Sequence, residues 1–209
     1  MNRRQFAFAS AVSACTLVTR YGYADETPGV VQRRLHHEDF ADALLTQIRQ
    51  AESVTAAFQA WYGIVNPLLP FIHATALVCS SSASAAGAAG DRSPGDVRRV
   101  FSTVPTAYPV GGWKHLSGSD WARHVLVEQK TLIASGPERL KHYFPDYALL
   151  ESLGVRTLVN IPVVVCRRTV GAFALLFDTT QIDPAALVEG ERLAPLMAGV
   201  FALGQVEST

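Results

Sequence analysis

The chain has 209 residues, 49% hydrophobic, 17% charged and 9% aromatic, which suits one globular domain with a sizeable core and excludes a disordered or fibrous class. Eighteen Lys plus Arg balance eighteen Asp plus Glu, so the electrostatic footprint of a nucleic-acid binder is missing. Cys15, Cys79 and Cys166 form no CxxC pair and no zinc-like spacing with histidine, so neither a metal nor another cofactor is expected.

Residues 1 to 24 read as a leader. Arg3-Arg4 precede Phe6 by two residues, an uncharged run continues to Val18, and Gly22-Tyr-Ala24 offers a small-residue cleavage site before Asp25-Glu26. The pattern resembles a twin-arginine export signal and implies a periplasmic protein, and the run is too short to be a transmembrane span. Cleavage would remove Arg3, Arg4 and Arg20 and leave 15 basic against 18 acidic residues. Two alternatives stay open: a lipobox at Val12-Ser-Ala-Cys15, and an uncleaved cytoplasmic chain. If Cys15 leaves, Cys79 and Cys166 remain, and a disulfide would require their β-carbons to approach.

Residues 25 to 34 read as a linker. From Gln32 to Val65, Phe40, Leu44, Ile48, Ala51, Phe58, Trp61 and Val65 recur every three or four positions, which predicts an amphipathic helix or helix pair. Adjacent His36 and His37 diverge on a helix and cannot share a metal. Phe71 to Cys79 predicts a strand with Ala74, Ala76 and Val78 on one face and His73, Thr75, Leu77 and Cys79 on the other. The Ser/Ala/Gly-rich stretch from Ser80 to Asp96 lacks the Gly-Lys-Ser/Thr ending of a phosphate loop and reads as a flexible connection.

Val97 to Val104 predicts a strand returning across that loop. Pro105, Pro109 and Gly111-Gly112 break regular structure and leave Trp113 in a loop. Ser119-Asp120 starts a helix to about Gln129, with Trp121 and Val125 on one face, and His124 and Glu128 form a surface pair. Thr131 to Ala134 is a brief edge strand. Pro137 opens a helix that ends before Pro145, and Asp146 can cap the next turn, which Gly154 ends.

Val155 to Val165 is apolar at both parities except Asn160, as a strand covered on both faces should be. In the strand Val170 to Phe177, Ala172 and Ala174 alternate with Phe173, Leu175 and Phe177. Arg167-Arg168 is a poor tight-turn pair, so a connection longer than two residues is expected. Asp183-Pro184 opens a helix with Leu187, Leu193, Met197, Val200 and Leu203 inward, kinked at Pro195.

This order of elements resembles a GAF domain, a sensory relative of the PAS fold. The resemblance covers Leu35 to Val206 and rests on Ala107-Tyr-Pro-Val-Gly-Gly112, Trp121 with Val125-Leu126, Phe144-Pro-Asp146, Ser152-Leu-Gly154 and Val159-Asn-Ile-Pro-Val163. It implies an α+β fold: an antiparallel sheet of five to six strands with terminal helices on one face and a pocket-covering layer of loops and short helices on the other. It further implies a homodimer through the terminal helices and a small-molecule ligand. Cyclic nucleotides, haem and bilins are bound in the wider family, but the motifs for cyclic-nucleotide and bilin binding are not apparent. Similar sequences tend to carry Thr and Asn where this chain has Ala172 and Ala174, and His where it has Phe177, which points to a more apolar pocket.

Candidate ligand-binding residues are Trp113, Trp121, Tyr143, Phe144, Asp146 and Asn160, the aromatics to stack and Asn160 to orient. No Gly-x-Ser-x-Gly elbow occurs and no catalytic spacing is found, so a non-enzymatic binding module is expected. The resemblance admits two other readings: a thiol-dependent methionine sulfoxide reductase, and a degenerate domain kept for protein contacts. The first needs a reactive Cys79 or Cys166, although strand cysteines are usually buried and inert.

Overall fold

The computed structural model describes residues 28–80, 96–116 and 118–206, with side chains described from residue 39 onward. The leader, Cys15 and most of the Ser/Ala/Gly-rich connection lie outside the described residues. Six strands form one antiparallel sheet in the order β3-β2-β1-β6-β5-β4. They are β1 (His73–Cys79), β2 (Asp96–Ser102), β3 (Gly111–His115), β4 (Leu132–Ser135), β5 (Thr157–Val165) and β6 (Arg168–Phe177).

One face of the sheet carries the chain's terminal helices. The expected first helix is a pair, α1 (Pro28–Gln50) and α2 (Val54–Val65), divided where Ser53 turns extended and its hydroxyl accepts from the Ala56 amide at 3.1 Å. Trp61 of α2 stacks on Phe173 of β6 with ring centroids 3.7 Å apart, and Phe58 meets Phe101, Phe173 and Phe201. Large aromatic areas removed from water make this the main core.

At the other terminus, α6 (Pro184–Leu193) starts on an Asp183 cap and leads through a 3₁₀ turn (Ala194–Met197) into α7 (Ala198–Val206). Pro195 lies in that turn, at the expected kink. Met197 and Val200 are buried as expected, but Leu203, expected inward, is 60% exposed, and Phe201 and Gly204 complete the buried side of α7.

Two register shifts orient the remaining side chains. Ala76 pairs with Phe101 and Leu77 with Arg99, so Val100 is the extra residue of a bulge. Val100 and Phe101 both join the helix-side core, and Arg99 goes to the opposite face. On β3, Arg98 pairs with Trp113 and Arg99 with Gly111. Trp113 thus lies on an edge strand rather than in a loop; the two glycines, at φ 89° and 66°, supply the bulge that returns the chain to β2.

The β5–β6 connection also departs from expectation. Val165 pairs directly with Arg168, so the turn is two residues long, with Cys166 at φ 50° and Arg167 at φ 63°. Left-handed conformation at both central positions is what matches a hairpin's twist, even though neither residue is glycine. Gln129, itself at φ 59°, holds the turn by donating from Nε2 to the Arg167 carbonyl at 2.9 Å.

Short elements cover the second face. The expected helix from Asp120 is a single α turn, α3 (Asp120–Ala122), continued by a π-helical turn (Arg123–Val127); Trp121 and Val125 are both buried. Then come α4 (Pro137–Tyr143) and α5 (Tyr147–Ser152), which ends before Gly154 at φ 75°. Among the described residues, no helix is long and apolar enough to cross a membrane and no group of ligating side chains could hold a metal ion.

Candidate functional site

A cavity of about 340 Å³ lies between the second face of the sheet and the short helices. Strand pairing builds its floor. Asn160 of β5 pairs with Ala174 of β6, which pairs with Thr75 of β1, so three side chains form a row across the sheet. Leu158 and Leu176 form a parallel row, and Leu77, Val97 and Arg99 continue the floor toward β2. Ala174 adds almost no volume at the middle of this surface, and space remains above it.

Trp121, Tyr143, Phe144 and Pro145 form the roof, with Leu116 and Ser119 from the segment after β3. Trp121 is 5% exposed, and it serves both a small apolar cluster with Val97, Val125 and Ala172 and the cavity wall. Tyr143 and Phe144 are half-buried and bridge that cluster to another formed by Leu140, Leu150 and Leu158. Their position between two clusters fixes the height of the roof.

Asn160 is 1% exposed, and its Nδ2 has no hydrogen-bond partner. An unpaired buried amide costs about 1–3 kcal/mol, so its retention on a cavity wall is an observation that asks for an occupant. Asp146, half-buried, does not cap α5 with its side chain. Its Oδ2 accepts instead from the Tyr108 hydroxyl at 3.1 Å. The Tyr108 phenol is pushed up from its ordinary range, first by burial and then by the Asp146 charge and this hydrogen bond.

Arg99 lies over the Tyr108 ring at 4.7 Å and donates from Nη1 to the Pro109 carbonyl at 3.2 Å. Burial lowers its pKa, and electrostatic interaction with Tyr108 and Asp146 opposes that shift. Lys114, at the rim, is lowered by burial first and by the Arg99 charge second.

Five of the six sequence candidates, Trp121, Tyr143, Phe144, Asp146 and Asn160, therefore border one cavity. Trp113 does not. Its cross-strand partner Arg98 donates to the Gly204 carbonyl of α7 and stacks on the Trp113 ring at 5.4 Å, so both belong to the helix face. Phe177 likewise faces the helices, against Phe71, and Ala172 sits beneath Trp121 rather than on the cavity wall. Of the three apolar replacements noted in the sequence, Ala174 alone lines the space.

Arg99, Lys114 and Tyr108 do not stand out in the sequence as site residues. Alternation along β2 puts Val97 and Arg99 on one face, and Tyr108 belongs to the Ala107–Gly112 motif, so both carry a signal. Lys114 carries none until β3 is known to be a strand.

Among the described residues, Cys79 and Cys166 are free thiols and differently placed. Burial pushes Cys79 up to about 12, which leaves almost no thiolate at neutral pH, whereas Cys166 is exposed on the strained hairpin turn.

No protein-family model and no curated protein matches the chain. Solved structures do match. The GAF domain of an Acinetobacter phosphoenolpyruvate-protein phosphotransferase superposes with a TM-score of 0.60 at 13% identity, covering 82% of this chain and 96% of that one. The GAF domain of a two-component sensor histidine kinase from Bacillus halodurans gives 0.53 at 14%, covering 73% and 95%. The chromophore-binding domain of Stigmatella aurantiaca bacteriophytochrome gives 0.56 at 12%, covering 80% of this chain and 60% of that one. The fold is thus GAF-like, six-stranded and α+β, with the terminal helices on one sheet face.

Proposed function

We propose that this protein is a small-molecule-binding sensory or carrier domain whose ligand occupies the cavity beneath Trp121, Tyr143 and Phe144. The observation that carries the reading is Asn160, which borders the cavity and whose buried Nδ2 has no hydrogen-bond partner. A purely structural position would favour an apolar side chain there. The wall is otherwise apolar and aromatic apart from a few polar groups, which suits a largely apolar metabolite held by dispersion and placed by those groups. That the similar solved structures include a sensor kinase domain and a chromophore-binding domain agrees with a ligand-binding role.

Native mass spectrometry of the purified protein tests this, supported by thermal-shift screening of metabolite sets. A retained compound, or stabilisation that is lost when Ala174→Phe fills the cavity, supports the proposal. A protein that binds nothing and is unaffected in stability by cavity filling refutes it and favours a domain kept for protein contacts.

The thiol-reductase reading is disfavoured by the environment of Cys79, since a thiol held at about 12 is a poor nucleophile at neutral pH. Export of the protein through residues 1 to 24 and homodimerisation through the terminal helices complete the proposal. Leu45, Val188 and Leu203 are exposed apolar residues on the terminal helices that such a contact could cover. Export is tested by N-terminal sequencing of protein from cells with and without a twin-arginine translocase inhibitor. Sedimentation of wild type and Leu203→Glu tests the dimer.

A further inference from the structure

We propose that the cavity's ligand is a small organic monoacid, with its carboxylate between Arg99 and Lys114, an apolar or aromatic body over Ala174, and a hydrogen-bond acceptor at the far end facing Asn160. This rests on the reading of the cavity as a ligand site and goes further by assigning charge, polarity and length.

The wall sets the charge. Arg99 and Lys114 contribute two cations, and among the described residues Asp146 is the one carboxylate on the wall. Asp146 accepts from Tyr108 and makes no ion pair with either cation. One positive charge is left uncompensated. The Lys114 ammonium makes no ion pair among the described residues, and Arg99 keeps a buried Nε without a partner. Burying Arg99 beside a mostly apolar space raises its energy unless an anion joins it, and Lys114 at the exposed rim adds attraction for the same anion. A single carboxylate neutralises the wall, a cationic ligand is repelled, and a dianion overshoots.

Lys114 pairs with Val97 across β3 and β2, and Val97 lies on the cavity floor two residues from Arg99. The two cations therefore face the same side of adjacent strands. The guanidinium offers a planar fork and the ammonium a mobile point charge at the rim, a combination suited to one carboxylate.

Sheet register sets the length. Asn160 is on β5 and Arg99 on β2, with β6 and β1 between them. Three strand spacings separate their backbones by about 14 Å. Even with the Arg99 side chain reaching inward, an inorganic anion cannot touch both ends. The intervening floor of Ala174, Thr75 and Leu77 and the roof of Trp121 and Phe144 receive an extended apolar body. Asn160 borders that far end with an Nδ2 that has no partner, and the ligand group assigned to it is an acceptor such as a ketone or ester carbonyl.

Isothermal titration of the full chain with three matched probes tests the inference. They are para-acetylphenylacetate, its primary amide, and para-ethylphenylacetate. The acetyl acid is expected to bind about tenfold more tightly than its amide. Lys114→Glu, at an exposed rim position, should abolish that preference. The ethyl acid should bind more weakly than the acetyl acid in wild type, with the difference lost in Asn160→Leu. Equal binding of acid and amide, or an unchanged preference in Lys114→Glu, overturns the charge assignment while leaving the cavity a ligand site. Equal binding of acetyl and ethyl acids overturns the assignment of Asn160. Binding of none of the three overturns the inference, and native mass spectrometry then decides separately whether the cavity holds another ligand. Inorganic phosphate that competes as strongly as the acetyl acid overturns the two-ended form.

Discussion

The Tyr108 hydroxyl donates to Asp146 Oδ2 at 3.1 Å, joining the loop after β2 to the junction of α4 and α5 at the edge of the cavity. Arg99 covers the same Tyr108 ring, so one phenol positions both a cation and a carboxylate of the site. Tyr108→Phe should retain the packing and lose the hydrogen bond, costing about 1–2 kcal/mol in a urea melt. It should also loosen the α4–α5 junction, seen as faster amide exchange at Tyr147 and Leu149, whereas a bond of no structural weight would leave exchange unchanged.

Asn160 separates a ligand-binding role from a structural one. Asn160→Leu removes a buried amide that has no partner on Nδ2. The free protein should become more stable, by about 1 kcal/mol, because the desolvation cost disappears and apolar area is gained. Ligand retention should fall at the same time. A variant that loses stability instead would show that the amide serves the fold.

Gly171 lies where Phe201 of α7 packs directly on the sheet. A β-carbon there would fall on the Phe201 ring and within 2.5 Å of the Leu77 carbonyl oxygen. Since Phe201 is wedged among Phe58 and Phe173, it cannot move freely. Gly171→Ala should cost about 3 kcal/mol or prevent folding. Pairing it with Phe201→Leu should recover part of the loss in the same melt.

The hairpin turn stores strain at two residues. Cys166 and Arg167 both hold positive φ, at a cost of about 1–2 kcal/mol each for side chains with a β-carbon. Cys166→Asn with Arg167→Gly supplies the preferred turn pair and should raise the melting temperature by several degrees. A lowered melting temperature would mean that those side chains stabilise the turn in another way.

Cys79 gives a pH signature. Its folded pKa of about 12 stands above the ordinary 9.0. The contribution to stability is therefore complete below pH 9 and is lost as pH rises from 9 toward 12, because the unfolded chain releases the proton first. The slope approaches about 1.4 kcal/mol per pH unit in that window. Cys79→Ala should unfold with a shallower dependence between pH 9 and 11. Iodoacetamide at pH 8 should label Cys166 and leave Cys79 untouched until denaturant is added.

The two-sided character of the central hairpin, the helical period of the first segment, the caps at Ser119 and Asp183 and the small volume at Ala174 were legible in the sequence, because each depends on residue spacing or local hydrogen bonding. So were five residues that border the cavity, since aromatic and polar inclusions stand out within apolar strands and short helices.

Other features depended on how distant segments meet. Trp113 looked like a loop aromatic, yet its pairing with Arg98 turns it toward α7. Leu203 fitted the helical period three residues after Val200, yet the buried position is Gly204, four residues after it. Arg99 reaches the cavity because one extra residue, Val100, lets Phe101 remain in the opposite core. The sequence by itself determined that residues 143 to 178 would form an apolar wall containing Asn160. Only the tertiary structure decided that two cations and one carboxylate stand over that wall, because charge convergence depends on strand order and bulges that no local pattern encodes.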